Sequence, residues 1–160
     1  MISSMITGTI LAKYEIAFQV LPILVTFIPM LMDTGGNAGS QASTTIIRGM
    51  AVGDIELSDV LKVWWKEIRV ALICGFVLSV VNFIRLILQY PGRTLVSLVV
   101  VLSLYITVII AKSLGCLLPM GAKKLKLDPA IMASPLITTL VDAISLTVYF
   151  GLAVALLKIY

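Results

Sequence analysis

Residues 94–111 run for 18 positions without a charged side chain. At about 1.5 Å of rise per residue, a helix of that length nearly matches a hydrocarbon core of about 30 Å. Similar blocks recur. Residues 16–32 carry no charge over 17 positions, 15 uncharged residues separate Arg69 from Arg85, and from 129 to 157 the only charge is Asp142. Of the 160 residues, 60% are hydrophobic and 12% charged, where soluble domains carry roughly 25% charged residues. A soluble globule is thereby excluded, and the solvent that organises these blocks is the lipid bilayer.

The expected class is an all-α integral membrane protein with about five membrane-crossing helices in a single transmembrane pore domain over 1–160. The spans are expected at about 1–12, 16–34, 63–88, 94–119 and 129–158. The first is too short to cross and reads as truncated, and Pro22 and Pro29 are expected to kink the second. Between Asp54 and Glu67 the pattern turns to mixed charge, with Leu57, Val60, Leu61, Trp64 and Trp65 at helical spacing. That is the pattern of an amphipathic helix lying in the membrane interface.

The net charge of +4 comes from cations at block ends and in short loops. They form no dense patch interleaved with aromatics, which speaks against a nucleic-acid partner. Seven of the twelve Lys and Arg residues fall within 48–69 and 121–128. By the positive-inside rule these loops are cytoplasmic in a multi-pass protein of the cell membrane. The chain has no His, so the commonest transition-metal ligand is missing. Cys74 and Cys116 lie in apolar segments without the spacing of a metal finger.

Asp142 is the most informative residue, because a carboxylate within a span is costly in lipid and tends to face water or protein. Ser134, Thr138, Asp142, Ser145 and Tyr149 recur at intervals of three or four, which predicts one polar helix face. Lys112 is the available counter-charge; it either pairs with Asp142 or snorkels to the interface. The hydroxyls of Ser134 and Thr138 either bond their own helix or line a cavity. A second signal lies at 29–41, where Gly35, Gly36 and Gly39 stand with Asn37 and Gln41. Three glycines in five residues disfavour a regular helix. The segment is expected to be either a simple turn or irregular backbone lining a cavity, with carbonyls and amides that can hold hydrated cations.

The run Gly-Gly-Asn-Ala-Gly-Ser-Gln at 35–41, followed by Thr45-Ile-Ile-Arg48 and the acidic amphipathic stretch to Trp65-Lys66-Glu67, resembles the transmembrane domain of the MgtE-type magnesium channel family. The tail, Leu127-Asp-Pro-Ala130 and then Ser134-Pro135-Leu-Ile-Thr138-Thr-Leu-Val-Asp142, is similar to that family's last helix, whose aspartate sits at the pore's magnesium site. The resemblance implies a homodimer with one pore on its axis and Asp142 contributed twice. It also implies Mg2+ as the transported ion bound there, held by Asp142 with oxygens around Thr138 and Ser134. Gly35, Gly36, Asn37, Gly39, Gln41 and Pro135 are then expected to shape the pore and its gate. Family members commonly have an amide residue at the position of Ser134 and a small apolar one at that of Thr138, so this chain departs from the pattern there. The family's N-terminal helical domain and CBS modules have no counterpart in these residues.

A wide site with two carboxylates and several oxygens suits an ion that keeps most of its waters, as Mg2+ does. Such oxygens also serve manganese, cobalt and nickel. The expectation is a passive divalent-cation channel and not an enzyme. The other readings are an ion-coupled secondary carrier, an intramembrane hydrolase that would need a second carboxylate near Asp142, and a structural membrane subunit.

Overall fold

The computed structural model describes residues 2–132 and 134–158, without the side chains of Ile2, Ser3 and Ser134. Among the described residues all regular structure is helical: α1 (Ile2–Lys13), α2 (Glu15–Val20), α3 (Ile28–Val52), α4 (Val60–Gln89), α5 (Thr94–Lys124) and α6 (Ser134–Leu157). Short 3-10 turns at Pro22–Phe27, Leu57–Asp59 and Pro129–Met132 precede α3, α4 and α6. Among the described residues three stretches are long and apolar enough to cross a membrane: Leu57–Gln89, Thr94–Lys124 and Pro129–Leu157.

Two expectations about the first half are corrected. Residues 16–34 do not form one kinked helix, because α2 stops at Val20 and the chain tightens into the 3-10 turn that begins at Pro22. Proline lacks the N–H that would extend α2, yet it is accepted in a first turn, and Pro29 stands in just such a place at the start of α3. The glycine-rich segment is neither a turn nor irregular. It lies inside α3, which continues for 25 residues to Val52 and ends on Gly53, whose φ of 84° is the left-handed cap that glycine adopts without strain.

The stretch at 54–67 also differs from a separate interfacial helix. Residues 54–56 lie outside any helix, Leu57–Asp59 form a short turn, and only from Val60 does the stretch supply the first turns of α4, which continues unbroken to Gln89. Likewise α5 does not end at Pro119 but carries it inside the helix and runs on to Lys124.

Helix α5 is the centre of the bundle: α3, α4 and α6 all pack on it, and α3 also packs along α6. Apolar side chains close both ends. One cluster joins Leu24, Phe27, Leu31, Leu104, Leu146 and Phe150, and the other joins Ile46, Met50, Cys116 and Met120. On α4, Ile73, Phe76, Val81, Ile84 and Leu88 point outward into the surroundings, which is the surface expected of a helix that faces lipid.

Why α3 stays helical follows from its neighbours. A Cβ on Gly35 would stand 2.7 Å from Thr107 Cγ2 and 2.8 Å from Val141 Cγ1, and one on Gly39 would stand 2.8 Å from Ile137 Cγ2. Gly115 on α5 faces the backbone of Gly39 so closely that any side chain there would strike its carbonyl oxygen. The small residues therefore let α3 approach α5 backbone to backbone and receive side chains of α6 directly against its own backbone, and close packing in lipid outweighs the intrinsic helix penalty of glycine.

Candidate functional site

Between the two apolar clusters, the middle of α3 turns a polar stripe, Asp33, Asn37 and Gln41, away from its glycine face. These residues are four apart and so share one side of the helix. All three are exposed, and Asn37 Nδ2 donates to Asp33 Oδ1 at 3.1 Å. On one flank of the stripe, Asp33, Gly36, Asn37, Thr138 and Asp142 meet with Met32 around a recess of about 190 Å³. Glycine at 36 makes that recess possible: a Cβ there would lie 3.3 Å from Thr138 Cγ2 and 3.9 Å from Asp142 Oδ1.

Of the residues expected at the site, the fold thus gathers Asp142, Thr138, Gly36 and Asn37. Thr138 Oγ1 donates to the carbonyl of Pro135 at 3.1 Å, and Thr139 donates to the same oxygen at 2.9 Å. Pro135 is thus joined to the recess only through Thr138, and it does not itself line it. Gly35 and Gly39 are buried in the packing of α3 on α5 and α6 and do not line the recess. Ser134 starts α6, but its side chain lies outside the described residues.

The single polar face expected on α6 divides in two. Thr138 and Asp142 border the recess, whereas Ser145 and Tyr149 are buried. Ser145 Oγ bonds the Val141 carbonyl of its own helix at 2.6 Å, and the Tyr149 hydroxyl donates to the Leu24 carbonyl at 2.9 Å, tying α6 to the turn ahead of α3. Intervals of three and four describe a broad arc of a helix, and here neighbouring helices cover one part of it.

Lys112 neither pairs with Asp142 nor snorkels. Its ammonium lies 3.4 Å from Glu67 Oε2 and donates to Gln41 Oε1 at 3.1 Å. Among the described residues no basic side chain pairs with Asp142. Gln41 and Lys112 border a second cleft on the other flank of the stripe, about 740 Å³, whose wall from α4 includes Ile73, Val77 and Leu78. The sequence does carry a signal for this arrangement, since Lys112 interrupts an apolar span. What the sequence lacks is the partner, because Glu67 lies 45 residues upstream.

Apolar outer faces around a half-buried carboxylate, an amide and a glycine define a polytopic helical membrane protein with a polar site between its helices. The chain belongs to the MgtE family: the family model, described as a divalent cation transporter, matches residues 28–152, from the first residue of α3 into the last turns of α6. It is 37% identical over 151 residues to the magnesium transporter MgtE of Bacillus subtilis, which covers 94% of this chain and 33% of that protein. The magnesium transporter MgtE of Thermus thermophilus is 35% identical over 157 residues, 98% of this chain and 34% of that protein. For that of Enterococcus faecalis the identity is 30% over 149 residues, 93% of this chain and 33% of that protein. The chain spans about a third of the length of these curated relatives.

Proposed function

We propose that this chain passes Mg2+ passively across the cell membrane, through a path bordered by α3 and α6, with two copies meeting on an axis so that Asp142 is contributed twice. In this reading the bundle forms five membrane segments, and the loops at 48–69 and 121–128 face the cytoplasm. The family and the three relatives named as magnesium transporters support the ion. The chain is then a conduit and not an enzyme.

The observation that carries the reading is the placement of Asp142 beside Gly36 and Asn37 with no basic partner among the described residues. A carboxylate at that depth is expensive in lipid unless water, protein or a cation meets it. The same holds for the exposed stripe of Asp33, Asn37 and Gln41, which stands between helices whose outer faces are apolar. A hydrated path covered by a second copy satisfies both. Asp142 supplies the charge, and the carbonyls and amides nearby accept hydrogen bonds from waters that Mg2+ retains. Thr138 belongs to the same wall, and Pro135 and Ser134 extend it by position in the first turn of α6.

Reconstituted in liposomes with an internal magnesium indicator, the chain is expected to take up Mg2+. Asp142→Asn and Asp142→Ala are expected to lose uptake by at least about tenfold, equivalent to roughly 1.4 kcal/mol. Uptake unchanged by both substitutions removes the pore carboxylate and with it this reading.

A further inference from the structure

The Lys112–Glu67 pair is the one ion pair among the described residues, and it is nearly dry: the two side chains are 8% and 12% exposed. A buried pair of this kind is weak support for stability, because apolar side chains of similar volume commonly hold a core as well or better. Its placement points elsewhere. The ammonium donates to Gln41 Oε1, and Lys112 shares the larger cleft with Asp33, Asn37 and Gln41. A fixed positive charge thus stands directly on the polar stripe that the proposed cation path follows. Among the described residues Glu67 Oε2 makes no hydrogen bond, so its tie to the ammonium at 3.4 Å is one of charge alone.

We propose that Lys112 and Glu67 form a charge-balanced device that sets how tightly the stripe holds a divalent cation, with Lys112 as the residue that weakens the hold and Glu67 as the residue that offsets it. The inference rests on the reading that the stripe of α3 carries the cation. In a medium less polarisable than water, the repulsion between a lone ammonium and a doubly charged ion is strong and reaches across several ångströms. With Glu67 in place the local sum is zero, and the ion meets only the carboxylates of Asp33 and Asp142. Without Glu67 the positive charge is unopposed and empties the stripe. Without both, neutrality returns.

The test uses the purified intact chain in detergent and measures the Mg2+ concentration that gives half of the full protection against thermal unfolding. This readout needs no flux. Glu67→Gln is expected to raise that midpoint by about tenfold or more, and Lys112→Met with Glu67→Gln to bring it back within about threefold of the parent. The doubly neutral variant is the one expected to fold best, so the comparison survives poor folding of Glu67→Gln, for which Lys112→Met alone, with a midpoint lowered by about threefold or more, gives the opposite sign. Melting temperatures that change while all midpoints coincide make the pair merely structural and overturn the inference, as does an absence of Mg2+ protection in every form. Uptake that depends on Asp142 alongside coincident midpoints leaves conduction standing and removes only this device. Midpoints that move in the stated order in a chain without uptake do the reverse.

Discussion

A Cβ added to Gly115 of α5 would fall on the carbonyl oxygen of Gly39 in α3. The two helices therefore touch through their backbones, and an obstructing backbone atom cannot swing aside as a side chain can. Overpacking of a filled interior typically costs about 1–3 kcal/mol. Gly115→Ala is accordingly expected to lower stability by about 2 kcal/mol or more, read as detergent-resistant folding on heating. Gly151→Ala is the control, because nothing lies within 4 Å of a Cβ there. Equal melting of the two variants would show that α3 and α5 stand further apart.

Gly36 faces the recess instead of a helix contact. A methyl group there meets Thr138 Cγ2 at 3.3 Å, a contact that yields with a small shift, and takes up space 3.9 Å from Asp142 Oδ1. Gly36→Ala is expected to reduce Mg2+ uptake by about tenfold, roughly 1.4 kcal/mol, while the melting temperature stays near that of the parent. Full uptake in this variant would place the ion's route away from the recess.

Thr138 tests whether a side chain or the backbone provides the oxygens. Its hydroxyl donates to the Pro135 carbonyl and its methyl faces Gly36. Thr138→Ala is expected to change uptake by less than about threefold, roughly 0.7 kcal/mol. A loss as large as that of Asp142→Asn in the same liposome assay would assign the hydroxyl a direct part.

Tyr149 is buried, and its hydroxyl reaches across to the Leu24 carbonyl. Tyr149→Phe keeps the ring contacts with Phe150 but leaves that carbonyl without this donor, at a cost of about 1 kcal/mol. Ser145→Ala is expected to cost less, since the lost bond at 2.6 Å is to its own helix at Val141. Thermal unfolding of both variants ranks them, and a larger effect at Ser145 would contradict the account of α6.

Much of the fold is legible along the chain. Uncharged blocks set the helices from α4 to α6, because transfer of apolar surface from water depends on local composition alone. Asp142 stands out for the same reason, as a charge where a span allows few. The glycines of 35–39 mislead because propensity scales price a residue in isolation, whereas the gain from close packing against Thr107, Ile137 and Gly115 exists only once α5 and α6 are in place. The split of the α6 polar face and the choice of Glu67 over Asp142 by Lys112 are equally out of reach. Both depend on how each helix is rotated about its axis, and that rotation is decided by packing between segments far apart in the chain. Uncharged blocks and one carboxylate within them mark a chain suited to lipid before any contact is known; which groups face that carboxylate follows from the packed neighbours, because they alone fix the rotation of each helix.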